Sequence, residues 1–201
     1  MLRYLALGDS YTVGEGIDPA RRWPRQLAVA LRQAGLPLAD PLVVATTGWT
    51  TDELDAGIDA AAPRGPFDLV SLLVGVNDQY RGRALADYRR GFAALLERAT
   101  GFAGGRGARV LVLAIPDWGV TPFAAAQGRD RARIATELDA FNAAAAALCA
   151  ARGAAFVDIA PVSRERGAEA AMLAADGLHP SAAMHALWAS QALPAARDAL
   201  A

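Results

Sequence analysis

The sequence has no lysine, one cysteine, two histidines and few aromatic residues (7%). Each scarcity closes a class of function. A single cysteine, Cys149, permits neither an internal disulfide nor a cysteine-based metal site. It lies in the alanine-rich run Ala143–Ala151, where a small buried hydrophobe is expected rather than a reactive thiol. The two histidines, His179 and His185, come with no further ligand cluster, and their spacing misses the four-residue step of a helical metal pair. No metal is therefore expected, and His185 is expected at the surface. Twenty basic residues face 21 acidic ones, for a formal net charge of −1, so no excess of one sign draws the chain to nucleic acid or an anionic membrane. Every basic residue is arginine, and the arginines are scattered. In an alanine- and glycine-rich chain this reads as GC-rich codon usage rather than phosphate recognition. No apolar stretch approaches the roughly 20 residues that cross a bilayer. No basic leader with an apolar core and cleavage site precedes the first strand, so a cytoplasmic protein is expected.

What is present is a regular alternation. Hydrophobic residues make up 54% of 201 residues, enough for one domain over 1–201 with a sizeable core. Five short apolar runs read as strands: 3–7, 42–46, 68–74, 109–115 and 155–159. The run Val110-Leu111-Val112-Leu113-Ala114-Ile115 does not alternate with polar residues, which suits a parallel strand covered on both faces. Helical segments fall between: 24–33 stopped by Gly35, one begun by the capping box Thr50–Glu53, 84–100, 130–152 stopped by Gly153, and 181–200 with a bend expected at Pro194. In the fourth, Ile134, Leu138, Phe141, Ala145 and Leu148 share one face. Strand and helix alternate throughout, which predicts an α/β fold with a single open parallel sheet and helices on both sides. Gly101–Gly107 precedes a strand and reads as a surface turn.

Ligands of such sheets bind beyond the carboxyl ends of the strands, and polar residues collect there. Gly8-Asp9-Ser10 follows the first strand, Thr47-Gly48-Trp49 the second, and Gly75-Val76-Asn77-Asp78 the third. Asp176-Gly177-Leu178-His179 comes some seventeen residues after the fifth, room enough for a loop to return to the same rim. A serine hydroxyl becomes nucleophilic when a positioned base takes its proton. Ser10, His179 as general base and Asp176 as the group that orients it supply those parts. The backbone N–H groups of Ser10 and Gly48 and the side-chain amide of Asn77 are candidate donors to a developing oxyanion. Alternatives stand for single residues: Ser10 as a helix cap, Asn77 as a turn residue, and Asp9 and Asp78 as organisers of loop hydrogen bonds. Ser71, within a strand, is expected in the core.

Taken together, these residues resemble the SGNH or GDSL serine hydrolases. Ser10 in Gly8-Asp9-Ser10, Gly48, Asn77 in Gly75-Val76-Asn77-Asp78, and His179 in Asp176-Gly177-Leu178-His179 match the four markers in order, over nearly the whole chain. Tyr11 departs from the leucine of the family name. The resemblance implies a flavodoxin-like three-layer α/β/α sandwich with a five-stranded parallel sheet, and hydrolysis of esters or thioesters without a cofactor.

Two other classes compete. The segment 10–16 superficially resembles the phosphate loop of a flavodoxin, so a flavin- or phosphate-binding module is the non-enzymatic alternative. An α/β-hydrolase is excluded because no Gly-x-Ser-x-Gly elbow occurs. The substrate is expected to be a small-molecule ester. Trp49, Tyr80, Trp118 and Phe123 follow strand ends and are candidates to line an acyl pocket, or else pack under loops. Arg81 and Arg83 are candidates to meet an anionic group, or else are simply exposed. No long insertion interrupts the pattern, which suggests an open site and short acyl chains. Lysophospholipid, thioester and acetylated-sugar substrates remain alternatives.

Overall fold

A computed structural model describes all residues, 1–201. Five parallel strands form one sheet in the order β2-β1-β3-β4-β5, from β1 (Tyr4–Gly8), β2 (Leu42–Ala45), β3 (Leu69–Leu73), β4 (Val110–Leu113) and β5 (Ala155–Val157). In register, Leu7 sits beside Val44 on one side and Leu72 on the other, and Leu72 beside Val112. Every residue of β1, β3 and β4 is buried, as continuous apolar runs require when both faces are covered. β2 and β5 are the edges, half-exposed and only a few residues long, which limits the unpaired backbone they offer. Tyr4 reaches from β1 to Ser71 in β3, with 2.9 Å between their hydroxyls, so the buried serine is satisfied inside the core.

The covering helices follow the sequence signals closely. α2 (Trp23–Gln33) and α9 (Ala182–Leu200) pack together on one face; α3 (Thr51–Ala61), α5 (Leu85–Phe102) and α7 (Arg131–Arg152) cover the other. The result is the expected three-layer α/β/α sandwich. The capping box forms: Glu53 accepts the Thr50 N–H at 2.9 Å while Thr50 caps the third position. Asp130 and Ser181 cap α7 and α9. Pro194 lies within α9 without ending it. On α7 the buried stripe closes on Cys149 rather than on half-buried Leu148. Four short helices had no periodic signal: α1 (Ser10–Val13), α4 (Val76–Tyr80), α6 (Pro122–Ala126) and α8 (Ala160–Arg166). So few residues give no amphipathic period, and their stability comes from caps and tertiary contacts.

Two expectations change. α7 is, by length and composition, apolar enough to cross a membrane; here it packs against α5 and β5 as a helix of the sandwich. His185 is fully buried, not at the surface. Its Nδ1 accepts the Trp23 N–H at 2.9 Å, which joins α9 to the start of α2. Burial, with the Arg22 and His179 charges, pulls its pKa down to about 3. The imidazole is therefore neutral, with its proton on Nε2, which has no partner. Burial also pushes the Cys149 thiol up to about 12, in keeping with an inert packing role.

Candidate active site

Because β1 lies between β2 and β3, the loops after these three strands are neighbours at the carboxyl edge of the sheet. A cavity of about 230 Å³ opens there, lined by Ser10, Tyr11, Thr47, Gly48, Val76, Asn77, Tyr80, Trp118, Phe123, Leu178 and His179. The tertiary structure has thus gathered residues spread from position 10 to position 179 around one space.

Ser10 is the first residue of α1 and is 5% exposed. It is not the helix cap. Asp9 takes that role, its Oδ1 accepting the Tyr11 N–H at 3.0 Å. The serine hydroxyl is thereby left for other work, and as the first helical residue Ser10 has no intrahelical acceptor for its N–H.

His179 reaches the cavity from a tight turn before α9. Asp176 builds that turn: its Oδ1 accepts the N–H groups of Leu178 and His179, each at 2.9 Å, while its Oδ2 lies 2.5 Å from His179 Nδ1. Burial pushes the Asp176 carboxyl upward, but the bonds from the imidazole and the two backbone amides outweigh it and hold the group below its ordinary value. A carboxylate only accepts, so Nδ1 carries the proton and Nε2 is left as a base. The edge of Tyr11 faces the imidazole, with 6.2 Å between ring centroids. Ser10 and His179 line the same cavity without a hydrogen bond between them.

The second loop turns through Gly48 at φ +88°, a left-handed conformation that favours glycine. Its N–H donates to no protein group, while its carbonyl accepts from Arg81 Nη2 at 2.7 Å. Arg81 in turn pairs with Glu53, 3.1 Å away. Asn77 donates one amide hydrogen to the Trp49 carbonyl at 2.9 Å, which fixes the amide and leaves the other hydrogen free. Asp78, buried beneath, accepts from the N–H and hydroxyl of Thr51 at 3.0 and 2.8 Å. Arg83 binds Asp52 and lies 3.6 Å from Asp78. Both arginines are therefore engaged in bracing the loops, as are Asp9 and Asp78.

The aromatic candidates divide. Tyr80, Trp118 and Phe123 line the cavity. Trp49 does not: its ring lies against Gly57 of α3, so close that a Cβ there would sit 2.1 Å from it. Its backbone carbonyl, rather than its side chain, serves the site. Tyr11, Thr47, Val76 and Leu178 also line the cavity without a sequence signal of their own, although each adjoins a marker residue in sequence. Arg129, outside the cavity lining, touches two of its rings. Its guanidinium lies 4.9 Å from the Tyr80 ring centre and 5.3 Å from that of Trp118, a contact between loops distant in sequence that carries no local signal. No group of three or more His, Cys, Asp or Glu side chains is placed to hold a metal.

Residues 6–187 match the GDSL-like lipase/acylhydrolase family. The chain belongs to this family. It is accordingly a carboxylic ester hydrolase of GDSL type, and the flavodoxin-like binding module is set aside. Solved structures similar to this acylhydrolase include TesA, at 24% identity and TM-score 0.75, covering 98% of this chain and 99% of that one. A lipase/acylhydrolase from Enterococcus faecalis is 20% identical with TM-score 0.70, covering 96% and 94%. The acetylxylan esterase Axe2 from Geobacillus stearothermophilus is 18% identical with TM-score 0.73, covering 97% and 94%. At these identities the likeness establishes the fold. No curated protein matches the GDSL hydrolase by sequence at a significant level.

Proposed function

We propose that this GDSL hydrolase cleaves small or short-chain carboxylic esters through an acyl-enzyme on Ser10. The observation that carries the reading is that Ser10, Gly48, Asn77 and His179 line one cavity while Asp176 holds the imidazole. Ser10 Oγ attacks the ester carbonyl carbon as His179 Nε2 takes its proton; the contact between them forms when substrate enters. Charge develops on the carbonyl oxygen, and the N–H groups of Ser10 and Gly48 with the free Asn77 amide hydrogen receive it. Collapse breaks the ester C–O bond, and the imidazolium returns its proton to the departing alcohol. Water then attacks the acyl group, giving its proton to His179, and the acid leaves with Ser10 restored. Side chains and water suffice, so no cofactor enters.

The cavity supports the chain-length reading. At about 230 Å³ it lies below the roughly 300–1,000 Å³ of drug-sized pockets, and Tyr80, Trp118 and Phe123 make its wall apolar. An acetyl ester of a carbohydrate is the second reading, favoured by this small volume and by the likeness to an acetylxylan esterase; lysophospholipase or thioesterase activity is the third. A fluorophosphonate probe with p-nitrophenyl acetate turnover tests the mechanism. Ser10→Ala is expected to lose both labelling and turnover, and His179→Ala to lose roughly 10⁴-fold or more in kcat. Asp176→Asn is expected to be milder, because backbone contacts also shape its turn. Labelling that persists in Ser10→Ala would reject the nucleophile.

A further inference from the structure

A second cavity adjoins the first. It measures about 20 Å³, and Pro116, Met172, Leu173, Met184 and Trp188 are among its walls. Tyr11, Trp118 and Leu178 line both spaces and so form the partition between them. Two of the three are held in place. Trp118 donates its indole N–H to Gln79 Oε1 at 2.8 Å, and Leu178 sits in the turn tied by Asp176. Tyr11 has its backbone N–H tied to Asp9, and its side chain is fixed by packing. Its ring is 3% exposed and wedged edge-on between His179 and Trp188, at centroid distances of 6.2 and 5.8 Å.

The inner space asks for nothing polar. Its polar walls are already satisfied: Asp117 by Gly119 and Arg164, Thr121 by the Trp118 carbonyl, and Ser163 by the Ala160 carbonyl and the Asp117 N–H. An apolar void of this kind gains from methylene groups and gains little from water. We infer that Tyr11 sets the acyl-length limit of this enzyme, its ring closing the ester cavity against an inner apolar space that longer acyl chains would otherwise enter. The inference rests on the serine-esterase reading above, and it concerns a position where the chain departs from the family's leucine.

The test is a series of p-nitrophenyl esters from acetate to octanoate with Tyr11→Leu, Tyr11→Met and Tyr11→Phe. Each newly buried methylene is worth about fourfold in kcat/KM. Tyr11→Leu is therefore expected to raise the hexanoate-to-acetate ratio of kcat/KM about 15-fold over the natural chain, for two methylenes gained. Tyr11→Met, which keeps more of the packed volume, is expected to move the same way by less, and it carries the test if the leucine variant folds poorly. Tyr11→Phe is expected to keep the original ratio. Adding Met172→Phe to Tyr11→Leu refills the inner space and is expected to reverse the shift. Ratios unchanged in both Tyr11→Leu and Tyr11→Met, even with all esters slowed alike, overturn the inference and leave Tyr11 a mere support for His179. Turnover surviving in Ser10→Ala would instead reject the nucleophile, whatever the ratios show.

Discussion

At the residue scale, Asp9 shows how a side chain beside Ser10 is shaped by its surroundings. One carboxyl oxygen caps α1 and the other is buried without a partner. Burial, with the nearby Asp78 charge adding to it, raises its pKa to about 7. Asp9 thus holds its proton more tightly folded than unfolded. Its contribution to stability is full below about pH 4 and is lost as pH rises through about 7. Asp9→Asn keeps the capping oxygen and removes the titration. This variant should melt several degrees above the natural chain at pH 8 and match it near pH 4; thermal unfolding across that range decides, and a gap independent of pH would refute the assignment. The sequence marked Asp9 as a loop organiser and Ser10 as the reactive group, because polar residues at strand ends are visible in one dimension. It did not show that Trp49 turns to Gly57 or that His185 is buried. Those outcomes depend on which neighbours a side chain meets.

At the scale of elements, the junction from β1 to α1 tightly constrains the placement of Ser10. A Cβ on Gly8 would lie 2.2 Å from Thr12 Oγ1 and 2.4 Å from the Leu73 carbonyl oxygen. Rotation moves Thr12 Oγ1 but not its Cβ, 2.8 Å away, and the carbonyl belongs to the central strand β3. Gly8→Ala is therefore expected to destabilise the fold by about 1–3 kcal/mol. Since α1 begins two residues later, esterase activity should fall further than the loss of folded protein explains. Urea unfolding and activity per folded molecule separate the two effects; an unperturbed variant would show that the junction is slack. Long elements were legible here because α2, α3, α5, α7 and α9 run over several turns, and α3, α7 and α9 carry N-terminal caps. The helices α1, α4, α6 and α8 are too short to repeat anything, yet two of them begin at Ser10 and just before Asn77.

For the whole molecule, His185 ties two helices of one layer together, and it gives the fold a pH dependence opposite to that of Asp9. Its pKa is depressed to about 3, so the unfolded chain takes up its proton first. Stability from this residue is present above about pH 6.5 and is lost as pH falls toward about 3. His185→Asn offers an acceptor to the Trp23 N–H without a charge change, and it should shift acid unfolding to lower pH. Circular dichroism from pH 7 to pH 3 checks this; an unshifted acid transition would mean that the imidazole is not what limits acid stability. The two windows overlap, so the natural chain's profile is flatter than either group alone would make it.

Some things about this protein follow from its sequence alone. Continuous apolar runs spaced by capped helical segments specify a parallel sheet with helices on both faces, and four marker residues in order specify the hydrolase family. Local pattern suffices there because periodicity and chain order are one-dimensional properties. Tertiary structure alone decided the rest. Placing β1 between β2 and β3 brought Ser10, Gly48 and Asn77 to one rim, and the turn before α9 delivered His179 across the chain. It also decided which aromatic rings face the cavity lined by Ser10 and His179, and put Tyr11 between that cavity and the one beside it. The physical reason is that burial and contact are properties of all the surrounding elements at once, and no stretch of sequence contains its own surroundings.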